Sequence, residues 1–280
     1  MESSGEDGGA RFREVEVSAA EGLGRSDILH IVKEVLGFVL YMHQQIPSVI
    51  HHLENEFSAL KEEHKNLEET CLTPNDSKAA DRRKHTFRKR EVKQGIRRLE
   101  KLMHSLSTLL SALQLALDEM PDIQEVALVL GASLLRPQHV YQLVFSGVTF
   151  HFGKAKECTK SKVADGISRK AIRALISAGA GSSSYMGPCK LFLLVKSSST
   201  FSLPLHFLPK RDFHFCKKIV PLNLHIKCKF PVHIIDRSHQ TSLAATASSS
   251  SSLDSTGNDV IWFQCKHTIK GLACKAPTQC

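Results

Sequence analysis

The sequence predicts an α+β domain: long helices packed on one face of a mainly antiparallel sheet. Three observations carry this. Apolar residues recur at three- and four-residue spacing through residues 28–117. After Pro121 the pattern changes to short β-branched runs bounded by turn residues. A single further amphipathic segment, 165–178, interrupts those runs. In 280 residues, 42% hydrophobic and 23% charged content leaves enough apolar material for a sizeable core.

The elements follow in chain order. Residues 1–24 are polar and Gly-rich, and are expected to be disordered. The domain proper is expected over 25–272. Ser26 is a suitable N-cap, and Asp27 suits the positive end of a helix dipole. Ile28, Leu29, Ile31, Val32, Val35, Leu36, Val39 and Leu40 then recur so densely that the helix should be buried on most sides. Pro47 should end or kink it. A second helix continues with a narrower stripe, Val49, Ile50, Leu53, Phe57 and Leu60. Residues 71–90, "CLTPNDSKAADRRKHTFRKR", open with turn formers and read as a basic loop. A third helix runs from 91 to Pro121, with Ile96, Leu99, Leu102, Leu106, Leu109, Leu113 and Leu117 on one side.

"VALVLG" reads as a buried strand and "VYQLVFSGVTFHF" as a second. "DGISRKAIRALISAGAG" is a short helix that Gly179 should stop. "KLFLLVK" is another strand, and "VPLNLHIKCKFPVHII" holds one or two more. The serine-rich tract 244–258 reads as a disordered loop. "VIWFQCKHTIKGL" then closes the sheet and carries the only tryptophan, and 273–280 reads as a tail.

A net charge of +9 favours nucleic acid, chromatin or an acidic protein surface as a neighbour. The charge concentrates at Arg82, Arg83, Lys84, Arg88, Lys89 and Arg90. That cluster reads as a nuclear localisation signal, as a solvated loop, or as a nucleic-acid patch over 82–98. Phe87 is the one aromatic inside it, which weakens a case for base stacking.

No apolar run is long enough to cross a membrane. The opening residues lack the apolar core of a signal peptide, so a reducing compartment is expected. The eight cysteines include no CxxC pair and are expected to be free thiols. His214, Cys216, Cys265 and His267 could hold a metal only if two strands brought them together, so no metal or cofactor is expected. His51 and His52 occupy consecutive helical positions, a poor clamp. The common nucleotide, hydrolase and metalloprotease motifs are absent, and no catalytic function is expected.

Three segments, taken in order, resemble one family. The first is "VLGFVLYMHQQIPSVIHHLENEF", a helix running into Gln44, Gln45, Ile46 and Pro47. The second is "VALVLGASLLRPQHVYQL", with Pro137 and an aromatic before Gln142 and Leu143. The third runs from Asp259 to Leu272, with "IWFQ" followed by Thr268, Lys270 and Gly271. Together they resemble the comet proteins, HORMA-like partners of the spindle-checkpoint protein Mad-two. The resemblance spans about residues 28–272, with gaps in the basic loop and the serine tract.

The resemblance implies a HORMA-like fold with a safety-belt-like C-terminal segment, anchored by Trp262 and Phe263. It implies a non-enzymatic adaptor. Such a protein binds a closed HORMA-domain client and presents it to a Pch-two-type AAA+ ATPase, in checkpoint silencing or in meiotic axis and synapsis control. The client-facing helix corresponds to 165–178, with Ile172, Leu175 and Ile176 as apolar contacts and Arg169 and Arg173 at the rim. Ile176 stands where the family has a Phe, and Met42 stands near a family Gln. These departures leave room for a meiotic axis client in place of Mad-two. Pro209 and Lys210 match the pair that engages the ATPase. Location in the nucleus, on chromosomes and in the cytoplasm is implied. The competing expectation is a basic chromatin- or nucleic-acid-binding protein acting through 82–98.

Overall fold

Alternation of apolar and polar residues sets out the strands, and their pairing sets the order of everything else. In the computed structural model, the described residues are 13–19, 23–70, 79–120, 123, 125–146, 162–181, 187–216, 218–228 and 259–272. The helices are α1 (Arg25–Met42), α2 (Ile50–Thr70), α3 (Ala79–Glu119) and α4 (Lys162–Ser177). The strands are β1 (Arg13–Ala19), β2 (Glu125–Ser133), β3 (Arg136–Ser146), β4 (Lys190–Ser198), β5 (Phe207–Lys210), β6 (Leu222–Cys228), β7 (Val260–Cys265) and β8 (Ile269–Lys270). They form one sheet in the order β1-β6-β3-β2-β4-β7-β5, with β8 also pairing to β4. β6 runs parallel to β1 and to β3, and every other pairing is antiparallel. The fold is therefore α+β with a mostly antiparallel sheet.

The central strands are covered on both faces, which explains why "VALVLG" and "KLFLLVK" are apolar almost without interruption. Val126, Leu128 and Leu130 of β2, with Leu191, Leu193 and Val195 of β4, join the main core beneath α1, α3 and α4. Ala127, Val129, Phe192 and Leu194 point the other way. They form a smaller cluster covered by Leu134, Phe213, Phe215, Ile219 and Trp262.

Several expectations need correction. The supposedly disordered N-terminus contains β1, whose Val17 and Ala19 are buried. "REVEVSA" has the period-two pattern, but its partner β6 lies two hundred residues away, and Lys227 of β6 pairs with Glu16. The N-cap of α1 is Gly24, not Ser26. Asp27 closes the first turn by accepting the Gly24 N–H at 3.0 Å. α1 ends at Met42, before Pro47 acts, because Gln44 turns the chain with φ of 52°.

The basic segment is not a loop from 79 onward but the start of α3. Arg88 makes a fork to Glu63 of α2, at 2.6 and 2.9 Å, and reaches Glu91 at 3.0 Å. Lys89 lies 3.6 Å from Glu68. These exposed pairs contribute little each, but they add to good helix propensity and to the packing of α2 on α3. Residues 207–210 form β5 against β7. The expected loop at 244–258, the tail 273–280, residues 1–12 and 71–78 lie outside the described residues.

β7 carries the C-terminal anchor, with its two aromatics on opposite faces. Phe263 is buried beneath the helices, edge-on to Phe201 at 4.7 Å between centroids. Trp262 is half-buried on the outer face, against Phe215 at 5.5 Å and with Lys196 Nζ 5.7 Å from its ring. The anchor is therefore Phe263 with Ile261 and Cys265, while Trp262 roofs the second cluster. Phe263→Ala should cost about 3–5 kcal/mol in urea unfolding, the cost of a large cavity in a packed core. Trp262→Ala should cost less, about 1–2 kcal/mol, because much of its surface is already solvated. Equal losses, or a larger loss at Trp262, would overturn this division of the strand.

Candidate partner-binding surfaces

α4 is amphipathic and lies beside α1. The two helices run parallel: His30 of α1 meets Asp165 near the start of α4 at 2.8 Å, and Met42 at the end of α1 meets Gly181 beyond the end of α4. Ala164, Ile167, Ser168, Ala171 and Leu175 form the buried stripe. Gly179 stops the helix as expected, with φ of 79°. Its N–H donates to Ile176 O, and that of Ala180 donates to Leu175 O, both at 2.9 Å. This is a Schellman closure, in which the left-handed glycine lets two amides cap the last carbonyls.

The expected client-facing residues divide by burial. Arg169, Arg173 and Ile176 are exposed, Ile176 by 51%, and Ile172 is half-buried. Ile172 and Ile176 lie one turn apart, as do Arg169 and Arg173, so each pair shares a side of the helix. Leu175 does not belong to this surface: at 1% exposure it is part of the core. Met42 is half-buried and supports the Gly181 turn, while its neighbour Tyr41 is 44% exposed at the same end. Tyr41 was not singled out in the sequence, because an aromatic in a dense apolar helix reads as core.

A second surface lies along β5. Pro209 pairs opposite Phe263 and Lys210 opposite Trp262, and among the described residues β5 has no other neighbour in the sheet. Leu208 is 41% exposed, and Leu205 and Leu135 are 81% and 87% exposed. A cavity of about 580 Å³ opens beside them, lined by Leu134, Phe192, Lys210, Arg211 and Phe213 among others. Pro209 has no N–H and Lys210 is charged, and both discourage another strand from adding to this edge. Recognition here would therefore be by side chains.

The two surfaces sit at opposite ends of the sheet. α4 packs on β1, one edge strand among the described residues, and β5 is the other. Six strand spacings separate them, about 29 Å. Two partners could be held at once without touching the same residues.

Between them lies a buried polar cluster. His43 stacks on His139, with centroids 3.9 Å apart, and shares a 2.6 Å hydrogen bond with the Tyr141 hydroxyl. Burial, and then the neighbouring His139, lower the His43 pKa from 6.5 to about 4. Burial pushes Tyr141 up to about 12. Next to His43, the Gln45 carboxamide donates to His43 O at 2.8 Å and to Gly187 O at 3.2 Å, and accepts from Cys189 N at 2.7 Å. Gln45 O accepts the Leu272 N–H at 2.7 Å, and Gly271 N–H reaches Cys189 O at 2.9 Å. A Cβ at 271 would collide with the Gln45 carboxamide oxygen, so glycine is required by space.

The sequence placed His214, Cys216, Cys265 and His267 as a conceivable metal set. In the fold, His267 faces His206 at 3.0 Å, and Cys265 is buried under the sheet. Among the described residues, no three potential metal-ligating side chains cluster. Cys189, Cys216 and Cys265 are free, and burial raises the thiol pKa of Cys189 and, to about 11, that of Cys265. No described helix is long and apolar enough to cross a membrane.

Neither a scan against protein-family models nor a search of curated proteins finds a match for the chain.

The His43 cluster makes stability depend on pH with a definite sign. The unfolded chain takes up a proton near pH 6.5, and the folded chain only near 4. The folded state is therefore favoured fully above about 6.5 and loses that contribution as pH falls towards 4. Urea midpoints measured across this interval should fall steeply for the native protein and less so for His43→Gln, which cannot take the proton. Identical slopes for the two proteins would remove His43 as the source.

Proposed function

We propose that this chain is a HORMA-like, non-enzymatic adaptor that holds a closed HORMA-domain protein and presents it to a Pch-two-type AAA+ ATPase. The observation that carries the proposal is the separation of two solvent-facing surfaces on one sheet. One is the Arg169/Ile172/Arg173/Ile176 face of α4, which packs on β1, and the other is the Pro209/Lys210 edge of β5; β1 and β5 lie six strand spacings, about 29 Å, apart. An adaptor needs this arrangement, because its two partners must be bound together and must not compete. The comet-like segments of the sequence support the same reading. So does the C-terminal strand β7, which sits inside the sheet between β4 and β5, where a safety-belt-like segment would lie.

In this reading the ATP chemistry belongs to the partner. The chain contributes selectivity, and it can bias a client only as far as its affinities for the client's two conformers differ. The client is of the Mad-two type or of the meiotic axis type, and the function lies in checkpoint silencing or in axis and synapsis control. The setting is the nucleus, chromosomes and the cytoplasm, with import through Arg82, Arg83, Lys84, Arg88, Lys89 and Arg90. Replacing those six with Gln should move a fluorescent fusion into the cytoplasm. A fusion that stays nuclear removes the import role.

The adaptor reading is tested with purified client and ATPase. Ile176→Asp places a charge at the centre of the α4 face and should weaken client binding by about a hundredfold or more. Arg169→Ala at the rim should mainly slow association. A double Pro209→Ala/Lys210→Ala variant should bind client normally and fail to support its opening by the ATPase. A folded Ile176→Asp protein with native affinity would sink the assignment of α4. Normal opening by the double variant would place the ATPase surface elsewhere.

A further inference from the structure

α3 is much longer than the core requires. Its 41 residues span about 61 Å, yet none of residues 80–91 is buried, and Val92 is the first that is. This half of α3 packs on α2 through Arg88 with Glu63, Lys89 with Glu68, and Gly95 against Leu60. Residues 79–98 carry nine Lys and Arg against two acidic side chains, in a chain of net charge +9. The acidic partners come from α2, so the arm has an acidic side and a basic side.

Four of the cations that α2 does not take up are arranged in a line, with Lys84, Lys93 and Arg98 exposed to either side of it. Arg83, Arg90 and Arg97 recur every seven residues, and Lys101 follows one turn later. At 100° per residue the four fall within about 40° of one line along the helix. All four are exposed, and none is in an ion pair among the described residues. The contacts to α2 at Arg88 and Gly95 use the opposite side, where Val92 and Leu99 are also buried. Asp81, Glu91 and Glu100 all fall off the line, and Glu91 is bound to Arg88. Phe87, 70% exposed, lies between the first two arginines.

We propose that this stripe is a docking surface for the phosphate backbone of duplex DNA. A straight helix presents its charges over about 27 Å, and a duplex is straight and stiff over far more than that. The stripe has no buried apolar centre of the kind that concentrates the energy of protein interfaces. With a single aromatic, it also lacks the stacking platform that single strands require. Phosphate contacts of this kind carry affinity without reading sequence. The acidic α2 repels the duplex from the other side of the arm and so sets its orientation. The surface is independent of the α4 face and of the β5 edge. It would tether the chain to chromosomal DNA while leaving both of those free.

The test is fluorescence anisotropy of a short labelled DNA duplex titrated with the full chain, between about 50 and 200 mM salt. Binding should weaken log-linearly, with a slope of about −3.6 for four neutralised phosphates. The triple variant Arg83→Gln/Arg90→Gln/Arg97→Gln should lose at least about tenfold in affinity and flatten the slope by about 2.7. The double variant Arg88→Gln/Lys89→Gln removes as concentrated a charge from the ion-paired side, and should stay within about twofold of native. Circular dichroism checks that the helices persist. If the triple variant unfolds, Arg90→Gln alone should still flatten the slope by about 0.9. Absence of binding, a salt-independent affinity, or equal damage from the two multiple variants would overturn the proposal. Displacement of the duplex by poly-glutamate at equal charge would also overturn it, and would point to an acidic protein instead.

Discussion

The fold depends on one buried side chain, Gln45. A carboxamide can donate twice and accept, and here it joins three parts of the chain that are far apart in sequence. Its nitrogen holds the carbonyls of His43 and Gly187, its oxygen takes the amide of Cys189 at the entrance to β4, and its own carbonyl takes the amide of Leu272. Such a group is costly to bury unpaired and is worth a good deal when fully bonded. The position is reached only because Gln44 adopts a left-handed turn straight after α1, with φ of 52°. It also leaves no room for a side chain at Gly271. The end of the first helix, the central strand and the end of the last strand are thereby fixed to one another.

From that junction the sheet extends both ways, and its edges are treated differently. On one side it ends in β1, held parallel to β6 and covered by α4. On the other it ends in β5, short and blunted by Pro209 and Lys210. Both faces of the sheet are apolar and buried, so the sheet acts as a spacer. Displacement at one edge is not readily absorbed by a packed interior. This makes the spacing between the α4 face and the β5 edge a functional quantity in the adaptor reading.

Charge is segregated just as sharply as apolar surface. The interior holds its ionisable groups neutral: His43 is driven well below the usual histidine range, and Cys265 and Tyr141 well above theirs. Positive charge is carried outward on the α3 arm. There, acidic residues of α2 meet Arg88 and Lys89 and leave other cations, Arg83, Arg90, Arg97 and Lys101 among them, to solvent. Helix-helix packing thus decides which of a crowded set of cations is available.

Much of this was legible in the sequence. Dense apolar spacing marks α1 and the packed half of α3, and unbroken apolar runs mark β2 and β4, because these patterns depend on near neighbours alone. The glycine that stops α4 was legible for the same reason. What the sequence left open depends on partners distant along the chain. β1 looks like a polar tail until β6 pairs with it, and β5 looks like a loop until β7 does. The first turns of α3 read as a basic loop because their neutralising carboxylates belong to α2. Alternation places Trp262 and Phe263 on opposite faces of a strand, but local pattern cannot say which face the helices cover. Leu175 and Ile176 are equally apolar, and only the packing of α4 against α1 and β1 buries one and exposes the other. The sequence by itself determined the elements, through spacing along the chain. The tertiary structure alone decided which surfaces stay free, because burial is a property of contacts between segments that the chain order does not place together.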